Sequence, residues 1–362
     1  MKEWVSPSAL KIFDPPSTPG EKPQMNKTAE ALRLIRKVIR LPLGKNCHFK
    51  QTEFFQLLTE MSCLNWFAEG ISNAFRGLLP QADDLFYHIK KLSVEQTQTL
   101  FDALIKQNVK KARLLNLLRK RVWVAVDITT DPFYGKPNSF TRGGKEKAGT
   151  HWGYQYATAS IVQDGRRLII AALPFTPLDS LDDVLERLLA KCCGLVRIEC
   201  LLLDRGFFGS PVLRVLEREK LDYVMPGVKN KAIKRLASGL TAFPATVERE
   251  LNGFPIRLVF VKDEEDVLVF CTNRACWRSK LTEYYAKRWG IETSYRVCDG
   301  LQAKTCSRSV VVRMFLTYFA IALYNALQLA KAATFEERKP IALALRLFVL
   351  ANAFAKTGAD PP

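Results

Sequence analysis

The chain has 362 residues, 48% hydrophobic and 25% charged, which is long enough for a large core and excludes wholesale disorder. Its formal net charge of +18 bears on partners rather than fold, and favours a polyanion such as DNA or RNA, because each phosphate contact releases counterions. Nine cysteines without a Cys-x-x-Cys pair argue against a zinc ribbon or a thioredoxin-like site, and for small buried residues in a reducing cytoplasm.

Residues 1–25 carry Pro7, Pro15, Pro16, Pro19 and Pro23 and read as an extended arm. The opening Met1-Lys-Glu-Trp-Val5 lacks the apolar core of a secretion signal. From about Thr28 to Arg121 apolar residues recur at helical spacing, among them Leu32, Ile35, Ile39, Leu100 and Leu104. Pro42-Leu-Gly44 and Leu79-Pro80 punctuate these helices, and Ser93-Val-Glu-Gln96 reads as a capping box. Residues 1–120 are therefore expected to form an all-α, basic domain.

The pattern then changes. Val122–Val126 is a continuous apolar, β-branched run of the kind that forms a strand covered on both faces, and it ends in Asp127. Residues 134–149 read as a Gly-rich basic loop. Two strands follow, Gly153–Val162 and Arg167–Leu173, joined at Asp164-Gly165 by a hairpin turn. Ser180–Ala190 reads as helix, Val196–Leu203 as a second buried strand ending in Asp204, and Pro211–Lys220 as helix. The order β, β-hairpin, α, β, α predicts a mixed α/β fold over residues 121–309. A strand-rich block at about 221–275, with the acidic turn Asp263-Glu-Glu-Asp266, interrupts it as an insertion. Val310–Ala330 is apolar enough to imitate a membrane span, but Arg313, Asn325 and Gln328 are costly at bilayer depth. It reads as a helix buried inside the protein, within a helical segment 310–362, and no membrane partner is expected.

A carboxylate at the exposed end of a buried strand is not explained by core packing. The helix expected over Lys280–Asp299 supplies a third acid, with Tyr285, Arg288, Glu292, Tyr295, Arg296 and Asp299 along one side and Gly300 as its stop. Asp127, Asp204 and Glu292 brought together would hold a pair of hard divalent cations. Arg can grip phosphate bidentately and Tyr can stack on an end nucleotide.

These stretches resemble a known family. Asp127-Ile-Thr-Thr-Asp-Pro-Phe-Tyr-Gly135, Leu203-Asp-Arg-Gly-Phe207 and Tyr285-Ala-Lys-Arg-Trp-Gly-Ile-Glu292 are similar to the DDE transposases of insertion sequences. Within these they are most similar to the IS-four-like group with its Tyr-Arg-Glu-Lys signature, and to its haloarchaeal-type subgroup. The resemblance spans about residues 120–330. It implies an RNase H-like core with a β-rich insertion before the glutamate. It further implies Asp127, Asp204 and Glu292 as catalytic and metal-binding residues for two Mg²⁺ (or Mn²⁺) ions, and Tyr285 and Arg288 as DNA contacts. Lys287, Arg296 and Lys304 are further DNA-binding candidates. The signature's lysine falls where this chain has Asp299; Lys304 lies nearby beyond Gly300.

The resemblance thus implies a nucleoid-associated cytoplasmic transposase that binds double-stranded DNA, the element's inverted-repeat ends and the target, as a homodimer on DNA. It would cut and join strands. Two other readings stay open: a two-metal nuclease without strand transfer, and a catalytically inactive or domesticated DNA-binding relic.

Overall fold

A computed structural model describes residues 32–163, 166–264, 266–274 and 280–332. The proline-rich arm, the Asp164-Gly165 turn, Glu265 of the acidic turn and everything after Ala332 lie outside the described residues. Contacts divide the chain into two compact units: residues up to Leu104 together with those from Val297 on, and Ile105–Arg296.

The first unit is helical. It holds α1 over 32–38, α2 (Gln51–Cys63), α3 (Ala68–Ala74), α4 (Ala82–Lys90), the start of α5 (Val94–Leu114) and α11 (Val310–Ala332). The capping box opens α5 as its sequence predicts: the Ser93 backbone N–H donates to Gln96 Oε1 at 2.8 Å, and the Gln96 N–H donates to Ser93 Oγ at 3.0 Å. Helix α11 has mean hydropathy 1.7 and is long enough to cross a membrane, yet 89% of its apolar window is buried inside the protein. Phe315 and Tyr318 pack edge-on against Phe101, and Phe319 against Phe55. The polar residues that argued against a bilayer are accommodated: Arg313 Nε donates to the Ser307 carbonyl at 2.8 Å, and Asn325 is fully buried. Helix α11 belongs to this unit.

The second unit is built on one mixed sheet. Strand β1 (Val122–Pro132) is central, antiparallel to β3 (Thr150–Gln163) and parallel to β5 (Ile198–Leu203). Strands β2 (Thr141–Lys147) and β4 (Arg166–Pro174) both pair with the outer side of β3. Beyond β5 come β6 (Tyr223–Pro226), parallel to it, then β9 (Asp266–Thr272), β8 (Phe254–Asp263) and β7 (Ala245–Leu251), all antiparallel. The expected insertion is thus a continuation of the same sheet, carrying α8 (Lys231–Ser238) between β6 and β7. Helices α6 (Leu181–Cys193) and α7 (Ser210–Arg218) pack together, α6 also against β3 and β4.

Val124, Ala125, Val126, Leu201, Leu202 and Leu203 are completely buried, as continuous apolar runs in central strands require. Alternation along each strand sends Trp123, Ala125 and Asp127 to one face of β1, and Cys200, Leu202 and Asp204 to one face of β5. The four apolar members of that set form a core cluster with Leu281 of α9 (Leu281–Ala286) and Ile291 of α10 (Trp289–Leu301). One face of the sheet therefore carries both aspartates and the two helices that bring the glutamate.

Four local expectations are corrected. Asp127 lies in the middle of β1, because the strand runs on with β3 to Pro132 after its pairing with β5 stops. The expected single helix over 280–299 is two, broken by a turn at Lys287–Arg288. Gly300 does not stop it: α10 continues to Leu301. The Gly-rich loop holds strand β2, reversed by a two-residue turn in which Ala148 and Gly149 have φ of 53° and 82°.

Candidate active site

The parallel register of β1 and β5 runs from Val122 to Val126, and its last pair is Val126↔Leu203. Asp127 and Asp204 are the next residues of neighbouring strands that lie about 4.8 Å apart. The Ile128 N–H donates to Asp127 Oδ1 at 2.8 Å and fixes that carboxylate. Asp204 precedes a single 3-10 turn, Arg205–Phe207, which leads the chain away from the sheet.

The third acid arrives on α10. Ile291 and Leu281 are fully buried and anchor both helices to the sheet. Gly290 permits a close approach to β3, since a Cβ there would meet Val162 Cγ1 at 3.0 Å and Arg167 Nε at 3.3 Å. One turn after Arg288, Glu292 enters the same space. Tyr295 completes the wall: its hydroxyl lies 2.6 Å from Thr158 Oγ1, and Thr158 is the register partner of Asp127 in β3.

The three carboxylates meet on one guanidinium. Arg288 Nη1 donates to Glu292 Oε1 at 2.6 Å, and Nη2 lies 3.2 Å from Asp127 Oδ2 and 3.4 Å from Asp204 Oδ1. Two aspartate oxygens on one nitrogen are no farther apart than the sum of those contacts. The side chains are 8% exposed for Arg288, 17% for Asp127, 35% for Glu292 and 47% for Asp204, so the cluster opens to solvent on the Asp204 side. Arg288 Nε is buried with no partner.

Burial dominates the electrostatics of Asp127. Desolvation pushes its carboxyl up to about 6, against the lowering influence of Arg288 and the Ile128 N–H, with Asp204 and Glu292 adding to the rise. Burial alone would lower the Arg288 pKa, but Asp127, Tyr285, Glu292 and Asp204 outweigh it, so the guanidinium is held charged. Burial, ahead of the neighbouring charges, pushes the Tyr285 hydroxyl up to about 12, so it remains a hydrogen-bond donor.

The donor set suits a hard divalent cation: three carboxylates and neither Cys nor His among them. Among the described residues no three acidic, His or Cys side chains close on a common point as metal ligands do; here the guanidinium stands between the acids. Three carboxylates that share a single guanidinium mark a place that further positive charge fits.

The other candidates are distributed unevenly. Tyr285 lies at the cluster, its ring 6.0 Å from the Arg288 guanidinium and 5.5 Å from Phe270. Lys287 stacks its ammonium over Trp123 at 4.8 Å. Arg296 is exposed. Lys304 belongs to the helical unit, where its backbone N–H donates to the Trp66 carbonyl at 3.1 Å and Asn65 ties down Asp299 and Gln302 beside it. Sequence reasoning paired Arg288 only with Glu292, and missed Thr158, a fully buried polar residue of β3. Exposed Trp289, at 63%, also escaped it, although an apolar ring beside a carboxylate cluster is a signal.

A central mixed sheet with this strand order, flanked by helices, defines a core of RNase H-like type. The sequence matches the family model for the transposase DDE domain over residues 119–325, and the chain belongs to that family. No curated protein matches it. Its fold is similar to that in the cryo-EM structure of a piggyBac transposase synaptic complex with hairpin DNA. The TM-score is 0.60 at 13% identity, over 93% of this chain and 79% of that one. At such identity the likeness concerns the fold.

Proposed function

We propose that this DDE-family chain is an insertion-sequence transposase of the IS-four-like, haloarchaeal-type group. It binds the ends of its element and catalyses metal-dependent cleavage and joining of DNA strands. The observation that carries the reading is the meeting of Asp127, Asp204 and Glu292, from three distant segments, around Arg288.

Asp127 and Asp204 would hold one Mg²⁺ or Mn²⁺ ion, and Asp127 with Glu292 a second. Such ions activate the attacking hydroxyl and neutralise charge on the leaving oxygen. Asp127, as the shared ligand, is held in place by the Ile128 N–H. Tyr285 keeps its proton and offers it to a phosphate oxygen. The hydrogen-bonded Tyr295–Thr158 pair braces α10 against β3, so that Glu292 keeps its position.

DNA reaches the cluster from its open side. The β2–β3 ribbon and the loop before it stand at the end of the sheet toward which β1 runs past Asp127, with exposed Lys136 and Lys145 beside exposed Tyr134 and Trp152. Arg142 is not available there, since it donates to the Thr176 and Asp179 carbonyls. A second basic stretch, Lys229–Arg235, is largely helix α8; Lys229 is paired with Asp266 at 2.9 Å, so Lys231, Lys234 and Arg235 are its remaining cations. The helical N-terminal residues would recognise the inverted repeats, and pairing of two ends calls for a homodimer on DNA in the nucleoid.

The test is incubation of the purified chain with end-containing duplex and target DNA in Mg²⁺ or Mn²⁺. Joined donor–target products support a transposase. Cleaved ends without joining indicate a nuclease, and binding without cleavage indicates a relic.

A further inference from the structure

We propose that Arg288 is a displaceable counterion. In the metal-free protein it holds Asp127, Asp204 and Glu292 together, and it leaves this seat when divalent cations enter. The proposal rests on the reading of those acids as metal ligands, and it replaces the expectation that Arg288 is simply a grip on the DNA backbone.

The oxygens that Arg288 occupies, Asp127 Oδ2, Asp204 Oδ1 and Glu292 Oε1, are ones a cation bound by these residues needs. Guanidinium and metal therefore compete for one set of lone pairs. At 8% exposure Arg288 has little surface to offer a phosphate. Its seat is also imperfect, because Nε is buried without a partner, which costs desolvation energy without return. One positive charge among three carboxylates leaves the cluster undercharged, and two dications would supply four.

The backbone allows the exchange. Arg288 lies in the turn between α9 and α10, with its N–H bonded to the Tyr285 carbonyl and its own carbonyl accepting from the Ile291 N–H. The side chain can swing without unwinding either helix. Without Arg288 the acids would repel one another. With it they stay assembled until metal arrives, and the released guanidinium then becomes free to meet a phosphate.

The test uses the full-length chain without DNA, with Mn²⁺ as probe. Mn²⁺ binding is followed by electron paramagnetic resonance for the wild type, Arg288→Met and Arg288→Lys. Removing the competitor is expected to tighten binding about tenfold or more in Arg288→Met, the gain when a seat occupied more than nine-tenths of the time is vacated. Arg288→Lys, which keeps the charge, stays nearer the wild type. In parallel, phenylglyoxal modification of the wild type, mapped by mass spectrometry, is expected to rise several-fold at Arg288 when Mn²⁺ is added. This second measurement decides the matter even if Arg288→Met misfolds. Equal or weaker Mn²⁺ binding by folded Arg288→Met overturns the proposal, as does an Arg288 that stays shielded in the Mn²⁺-saturated wild type. If Mn²⁺ binds but Asp127→Asn does not weaken it, or if no Mn²⁺ binds, the metal-ligand reading itself fails and this inference with it. Mn²⁺ binding that Asp127→Asn abolishes, beside a shielded Arg288, removes the counterion role alone.

Discussion

Val126 and Leu203 face one another as the last register pair of the parallel β1–β5 ladder, and each is followed by an aspartate. The two carboxylates are therefore set by strand pairing, not by loop conformation, and a one-residue slip of either strand would send its aspartate to the opposite face. Isosteric neutralisation by Asp127→Asn, Asp204→Asn or Glu292→Gln leaves that framework intact. Each change is expected to lower Mg²⁺-dependent cleavage of end DNA by at least about a hundredfold, since loss of mere supporting residues around a metal already costs 10–100-fold. Affinity for the same DNA in EDTA should stay within about twofold. A variant that cleaved normally would remove its residue from the chemistry.

Asp127 makes stability depend on pH. Its carboxyl is raised in the folded chain to about 6 from 3.8, chiefly by burial, so the native state holds the extra proton between those values. The associated stability is complete below pH 4 and disappears as pH climbs to about 6, on the order of 2 to 3 kcal/mol. Urea midpoints for the wild type and Asp127→Asn, measured from pH 4 to 6.5 in EDTA, should diverge: the wild type weakens relative to the variant as pH increases. Parallel curves would rule this out.

Gly290→Ala tests the docking of α10. The new methyl group would sit 3.0 Å from Val162 Cγ1 in a sheet that cannot yield easily, and overpacking of this sort costs about 1–3 kcal/mol. Because Glu292 is two residues away, thermal unfolding should shift downward and Mn²⁺ affinity should fall with it. Lost stability with unchanged Mn²⁺ affinity would show that Glu292 does not depend on this contact.

The β2–β3 ribbon offers a salt-dependence measurement. Lys136 and Lys145 are exposed. If each meets a phosphate, replacing either by Gln lowers the slope of log K against log salt by about 0.9 and weakens binding alike for end and unrelated DNA. An unaltered slope would leave the ribbon as a solvated edge.

The central strands and the three acids were legible because their signals are local: apolar runs that stop at aspartate, and a helix with Arg288 four residues before Glu292. Strand β2 was not, since Thr141–Lys147 is glycine-rich and basic, and only the left-handed pair Ala148–Gly149 and the pairing with β3 make it a strand. The break between α9 and α10 was equally hidden, for no proline stands there; apolar anchoring of Leu281 and Ile291 to the sheet accompanies it. That Arg288 reaches Asp127 and Asp204 as well as Glu292 depends on tertiary geometry that no spacing along one helix encodes.

Strands β6 to β9 extend the central sheet edge to edge, and β9 precedes the helices that deliver the glutamate. Those helices lean on both parts of the sheet, on Trp123, Ala125, Cys200 and Leu202 of the central strands and on Val224, Val259 and Phe270 of the outer ones. Damage to the outer strands would loosen the seat of one acid, while the aspartate pair kept the register set by β1 and β5. A change far from the cluster would thus be felt first at Glu292, with every residue around Asp127 and Asp204 left as it was.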